Sequence, residues 1–177
     1  MDSIRERTLR LLERVSWPPG ESRMTGATLP SIREFGRRTQ MVIPQDLEEW
    51  LQVVNGARIG PGGVLGIQTP DSYCDIETVL AGYPEWRKRG WLPIAGDGCG
   101  NFYVVLANMH SAPVVFIDTI ADYLHPAYIV ASGVWIFLWF LLGAELGETE
   151  WPFSEEFVTR TDPAIVEFGV APLPWEA

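Results

Sequence analysis

From Ala127 to Ala144 the chain runs AYIVASGVWIFLWFLLGA, eighteen residues without one charged side chain. A segment this apolar has two stable destinations, the interior of a bilayer or the centre of a protein core. Eighteen residues is the length at which a spanning helix becomes feasible, but the nearest Lys or Arg residues are Arg89 and Arg160, too distant to anchor one. The opening AYIVASG reads as strand or turn, which leaves about a dozen residues from Ser132 for a helix. The expectation is a core helix and no membrane span. Val134, Phe137, Leu138 and Leu141 form the stripe that would cover a sheet, while Trp135, Trp139 and Leu142 face elsewhere. A two-layer domain would leave both tryptophans bare, so a third element must cover them. The candidates are the amino-terminal helix, a second copy of the chain, a protein partner and, last, lipid.

The 177 residues, 47% hydrophobic and 20% charged, suit one globular domain with short appendages. Cys74 and Cys99 stand apart in no CxxC pair, which suggests neither a zinc site nor a disulfide framework. The first residues lack the continuous apolar stretch of a secretory signal, so a reducing cytoplasm is the expected location. The net charge of −10 is unevenly spread: residues 1–39 hold eight Arg and five acids, whereas residues 40–177 hold five Lys or Arg and eighteen acids. An acidic body repels the phosphates of nucleic acid and draws basic partners toward it.

Ser3 and Glu6 form a capping box for a first helix carrying Ile4, Thr8, Leu11, Leu12 and Val15 on one stripe. That helix ends at Trp17-Pro18-Pro19-Gly20; residues 20–30 read as a loop, and Ser31 with Glu34 offers a second box for a helix reaching Arg38. Pro44 opens IPQDLEEWLQVVNG, in which Leu47, Trp50, Leu51 and Val54 repeat at helical spacing and Asn55-Gly56 supplies the stop. A short strand over 64–67, a helix carrying Ile76, Val79, Leu80 and Tyr83 and closed by Pro84, a hairpin over Trp91–Ala107 and a strand over Pro113–Asp118 follow. The tail beyond the apolar helix is acidic and Pro-rich. With helices at both ends and strands between, the class is α+β with a central, mostly antiparallel sheet.

Inside the hairpin lies Gly96-Asp97-Gly98-Cys99-Gly100-Asn101. A phosphate cradle would need a helix after the glycines, and Phe102-Tyr103-Val104-Val105-Leu106 is strand-type sequence. The dinucleotide fingerprint would need its third glycine one place after Gly100, and a calcium loop would need more oxygen ligands than Asp97 and Asn101 provide. A tight turn remains, with Asp97-Gly98 at its head.

Three segments in this order, the Pro44 helix ending in Asn55-Gly56, the strand-turn-strand carrying GDGCGN, and PVVFID followed by an apolar helix, resemble the SUKH superfamily. Its founding members are Smi/Knr-type regulators of fungal cell-wall assembly, and many bacterial members act as immunity proteins against secreted toxins. The resemblance covers residues 30–146, leaving an amino-terminal helix and loop over 1–29 and a carboxy-terminal extension over 147–177. It implies a non-catalytic domain that binds a protein, in bacteria a cognate toxin and often a nuclease; from the residue spacing, no cofactor and no metal are expected. A regulatory or scaffold protein of the same family is the first alternative, followed by a thiol enzyme or a membrane-anchored protein.

An enzyme would need a base beside a cysteine, and only His110 and His125 are available, with Cys99 and His110 separated by one strand. No zinc spacing exists among these residues. The candidate partner contacts are Glu48, Glu49, Asp71, Asp75, Asp97, Asn101 and Asp118 on the acidic body, with Trp135 and Trp139. Pro44, Trp50, Asn55, Gly56, Gly96, Gly98 and Gly100 are the structural motif residues.

Overall fold

Phe102 and Tyr103 are neighbours on one strand and face opposite ways, and the partners each finds define the layers of the protein. The structure, a computed structural model, describes residues 2–17, 25–70, 72–149 and 151–177. Four antiparallel strands, β1 (Trp91–Gly96), β2 (Phe102–Leu106), β3 (Val114–Ile117) and β4 (Tyr128–Ala131), pair in sequence order. On one face Tyr103, Phe116 and Tyr128 lie side by side across β2, β3 and β4. The helix α7 (Val134–Glu145) covers them, with Phe137 at 5.1 Å from Tyr103. On the other face Phe102 meets Trp86 and Tyr83, carried on or just before α5 (Pro84–Arg89), which follows α4 (Ile76–Gly82). A sheet covered on both faces has no solvent side, so β1 is buried along its whole length and shows no alternation of apolar and polar residues.

The apolar run at 127–144 divides as its composition suggests, with β4 first and α7 after Gly133. No helix among the described residues is long and apolar enough to cross a membrane. Helix α7 is buried almost all round, including Trp135 and Phe140, with α3 (Gln45–Val53) against it through Trp50 and three further elements around it. The sheet lies on one side, and α1 (Ile4–Arg14) lies along another, inserting Leu11 and Leu12. Arg5 and Arg7 of α1 stand over the rings of Trp135 and Trp139, at 5.4 and 4.7 Å, and Thr8 Oγ1 donates to the Trp135 carbonyl at 3.2 Å. The amino-terminal helix is therefore the cover that the two tryptophans required.

The third element is the carboxy-terminal segment, which is helical where the sequence suggested only a tail. Helix α8 (Glu155–Thr161) buries Val158, and Phe157 stacks on Trp139 at 6.0 Å. Trp151 stacks on Phe140. The Ile129 N–H donates to the Pro172 carbonyl at 2.9 Å, which occupies a donor that the edge strand β4 would otherwise expose. Asp162, 1% exposed, accepts hydrogen bonds from Ser132 N and Oγ at 2.7 and 2.5 Å.

The capping box of α1 forms as expected between Ser3 and Glu6. The second helix differs: α2 (Leu29–Thr39) is capped by Thr28, whose Oγ1 accepts from Ser31 N, and Glu34 pairs with Arg37 instead. Thr28 competes because Pro30 fits the first turn of a helix, where no N–H is needed. Helix α3 (Gln45–Val53) follows Pro44 and places Leu47, Trp50 and Leu51 in the core. The segment 64–67 makes only isolated bridges: Val64 with Ala57 and with Ala95, and Gly66 with Asp75. Pro84 ends one helix and begins another, since its fixed φ and missing N–H suit a helix start. A short helix, α6 (Thr119–Asp122), links β3 to β4.

Candidate functional site

The Gly96–Asn101 turn is held from within by one carboxylate. Asp97 Oδ1 accepts from Cys99 N at 2.7 Å and Asn101 N at 3.0 Å, and its Oδ2 accepts from Asn101 Nδ2 at 2.8 Å. Asn101 Oδ1 in turn accepts from Thr119 N, and Thr119 Oγ1 donates to the Gly100 carbonyl at 2.9 Å, which ties the turn to the start of α6. Across the turn lies the loop of Gly62. A Cβ on Gly62 would stand 2.3 Å from the Gly96 carbonyl carbon and 2.5 Å from Gly98 N. Two backbones thus touch where no side chain fits, and Gly98 adds a left-handed φ of +81°.

Beside this contact opens a groove of about 470 Å³. The glycines at 62, 82, 96, 98 and 100 leave its floor without side chains, and Tyr73, Val79, Tyr83 and Phe102 form its walls. Trp86, fully buried, supports it from below: it stacks on Tyr83 at 4.4 Å and donates its indole N–H to the Tyr123 carbonyl at 2.7 Å. Among the described residues, no Lys, Arg or His lines the groove. Asp97 lies in the turn that borders it, and Asp118 caps α6 through Ile120 N and Ala121 N. Their charge reaches Tyr128, whose hydroxyl is pushed up to about 12, first by burial and then by Asp97 and Asp118.

Of the expected contacts, Asn101 lines this groove and Asp97 lies in the turn beside it, together with the motif glycines Gly96, Gly98 and Gly100. The others lie elsewhere. Glu48 and Glu49 are on α3, with Glu49 held by Arg5 at 3.1 Å and by Gln45 at 3.0 Å. Asp75 is not a surface group: it is 7% exposed and caps α4, accepting from Thr78 N at 2.9 Å and from Thr69 N. Trp135 is 4% exposed beneath α1, so it belongs to the core, while Trp139 is half-buried against Arg7 and Phe157. Asp71 lies outside the described residues. Trp50 is core, 6.1 Å from Trp135. Asn55 does more than stop a helix, because its side chain pairs with both backbone groups of Ile67, donating at 2.9 Å and accepting at 2.7 Å.

Sequence reasoning missed the walls of the groove. Tyr73, Tyr83 and Phe102 come from separate segments, and no periodicity links them. Cys99 and His110 sit at opposite ends of β2, about 16 Å of extended chain apart, and are not brought together. Cys74 is buried. A second cavity, of about 330 Å³, lies between the start of α3 and the β2–β3 loop. Asp46 lines it, its carboxyl raised above the ordinary value by burial and by the neighbouring Glu49 charge.

The order of α3, the glycine hairpin, β3 and α7 is matched by one family model, described as the SMI1 / KNR4 family (SUKH-1), over residues 26–138. The chain belongs to the SMI1/KNR4 family. The matched span begins just before α2 and ends within α7, so the whole groove falls inside the SUKH-1 region while α1 and α8 lie beyond it. No curated protein and no solved structure matches the chain.

Proposed function

We propose that this SUKH-1 chain is a non-catalytic immunity protein of the bacterial cytoplasm that neutralises a cognate toxin domain by binding it in fixed ratio. The observation that carries the reading is the family match over residues 26–138, since bacterial SUKH proteins typically serve as protein-binding immunity modules. The charge supports it. A surface with net charge −10 suits a basic partner, and a nuclease domain is the toxin class it fits best, because an acidic protein can occupy a basic cleft in place of nucleic acid. The separation of Cys99 from His110 favours binding over thiol chemistry.

The test is co-expression with the toxin encoded in the adjacent reading frame. Protection of the cells together with a complex of constant stoichiometry is the expected result. Protection by strongly substoichiometric amounts, with the toxin recovered chemically altered, would mean that the protein is an enzyme.

A further inference from the structure

We infer that the groove beside the Gly96–Asn101 turn receives a segment of the protein partner that carries an Arg or Lys side chain; this rests on the binding role proposed above. The first argument is exposure. Three large apolar side chains that stand out of the surface gather here: Tyr73 at 59% exposed, Ile120 at 85% and Tyr123 at 41%. Tyr73 is in the wall, Tyr123 lies 5.9 Å from Tyr83, and Ile120 follows the Thr119 that bonds Gly100. Two exposed tyrosines and an isoleucine with a buried tryptophan behind them are the composition of an interface centre.

The second argument is Gly82, at the end of α4. Its backbone has no left-handed φ, and a Cβ there would meet nothing within 4 Å. Neither packing nor conformation requires glycine, and glycine is a poor helix residue. What its absence of a side chain does provide is open groove, since Gly82 is part of the lining. The third argument is charge. Among the described residues the lining has no Lys, Arg or His, Asp97 lies in the turn that borders it and is bonded to the lining Asn101, and Tyr83 offers an aromatic ring over which a guanidinium or ammonium group can stand. An acidic segment would meet like charge, and a purely apolar one would leave the negative potential unused.

The experiment measures binding of the full chain to the toxin domain from the adjacent reading frame. Gly82→Leu and Gly82→Arg fill the groove from a position where a side chain has room, so both variants should melt no lower than the native chain. Affinity should fall by about thirtyfold for Gly82→Leu and further for Gly82→Arg, which also opposes the incoming charge. Hydrogen exchange of the complex should show new protection over residues 78–83 and 98–102. Binding by both variants within about threefold of the native chain would overturn the inference. So would protection confined to the cavity at Asp46 and His110, or groove protection that grows with the concentration of the protein alone, which would make a second copy the occupant. Failure of the native chain to bind would instead remove the immunity reading, and this inference with it.

Discussion

Single polar side chains decide several junctions of this fold, and Asn55 is the plainest case. Its two hydrogen bonds to Ile67 fasten the end of α3 to the segment that runs beside β1. Asn55→Ala leaves a partly buried N–H and C=O without partners, so a loss of about 1–3 kcal/mol is expected in urea unfolding. Asp162 behaves differently because it is an ionisable group in the interior. Burial holds its carboxyl above the ordinary 3.8, against the lowering effect of the Ser132 hydrogen bonds. The native state therefore keeps this proton more tightly than the unfolded chain, and ionisation near neutrality costs stability. Acidification from pH 7 toward 3.8 should return stability at this site, and the gain should level off below 3.8 as the unfolded chain takes up the proton as well. Compared with Asp162→Asn, the native protein should gain ground between pH 7 and pH 4.5; a difference that is the same at both would contradict the assignment.

Among the elements, α1 is the one whose removal tests the layer order. It covers α7 with Leu11, Leu12 and Thr8 and sets two arginines over tryptophan rings. Leu12 is fully buried, and Leu12→Ala should cost about 2–5 kcal/mol. Deleting residues 1–16 should lower the melting temperature more than that single substitution and make tryptophan fluorescence more accessible to acrylamide, because Trp135 loses its cover. A truncated chain that melts and quenches like the native one would show that α1 does not shield α7. The glycine hairpin is the opposite kind of element. Its shape is set locally by Asp97 and Asn101, and its use depends on the loop of Gly62 that presses against it.

At the scale of the molecule, the uneven charge of the sequence becomes partly internal. Arg5 pairs with Glu49, Arg14 with Glu148 and Arg38 with Glu77, so the basic amino-terminal segment is bound to the acidic body. Exposed pairs of this kind add little stability and are screened by salt. The remaining acids still leave the surface strongly negative, and their long-range effect should be on association rate. Screening acts over about 8 Å at physiological ionic strength, so the rate of complex formation with a basic toxin domain should fall steeply between low and high salt. Stopped-flow measurement gives the slope, and a rate that stays flat would remove electrostatic steering from the account.

The sequence by itself determined the features whose causes are local. The Ser3–Glu6 cap, the stripe of α3, the Asp97-Gly98 turn and the division of the apolar run into strand and helix all follow from interactions spanning a few residues, and all were legible. The family was legible too, because the order of these segments is a property of the sequence. The tertiary structure alone decided which exposed-looking groups are core and which glycines are surface. Asp75 reads as one more acid until Thr69 and Thr78 are seen to donate to it, and Trp135 reads as a contact until α1 lies over it. Tyr73, Gly82, Tyr83 and Phe102 share a groove because α4 and α5 pack on β1 and bring their aromatic residues to β2. A groove made by packing between distant segments has no period or motif along the chain, since each wall is fixed by contacts that form only when the sheet is closed on both faces.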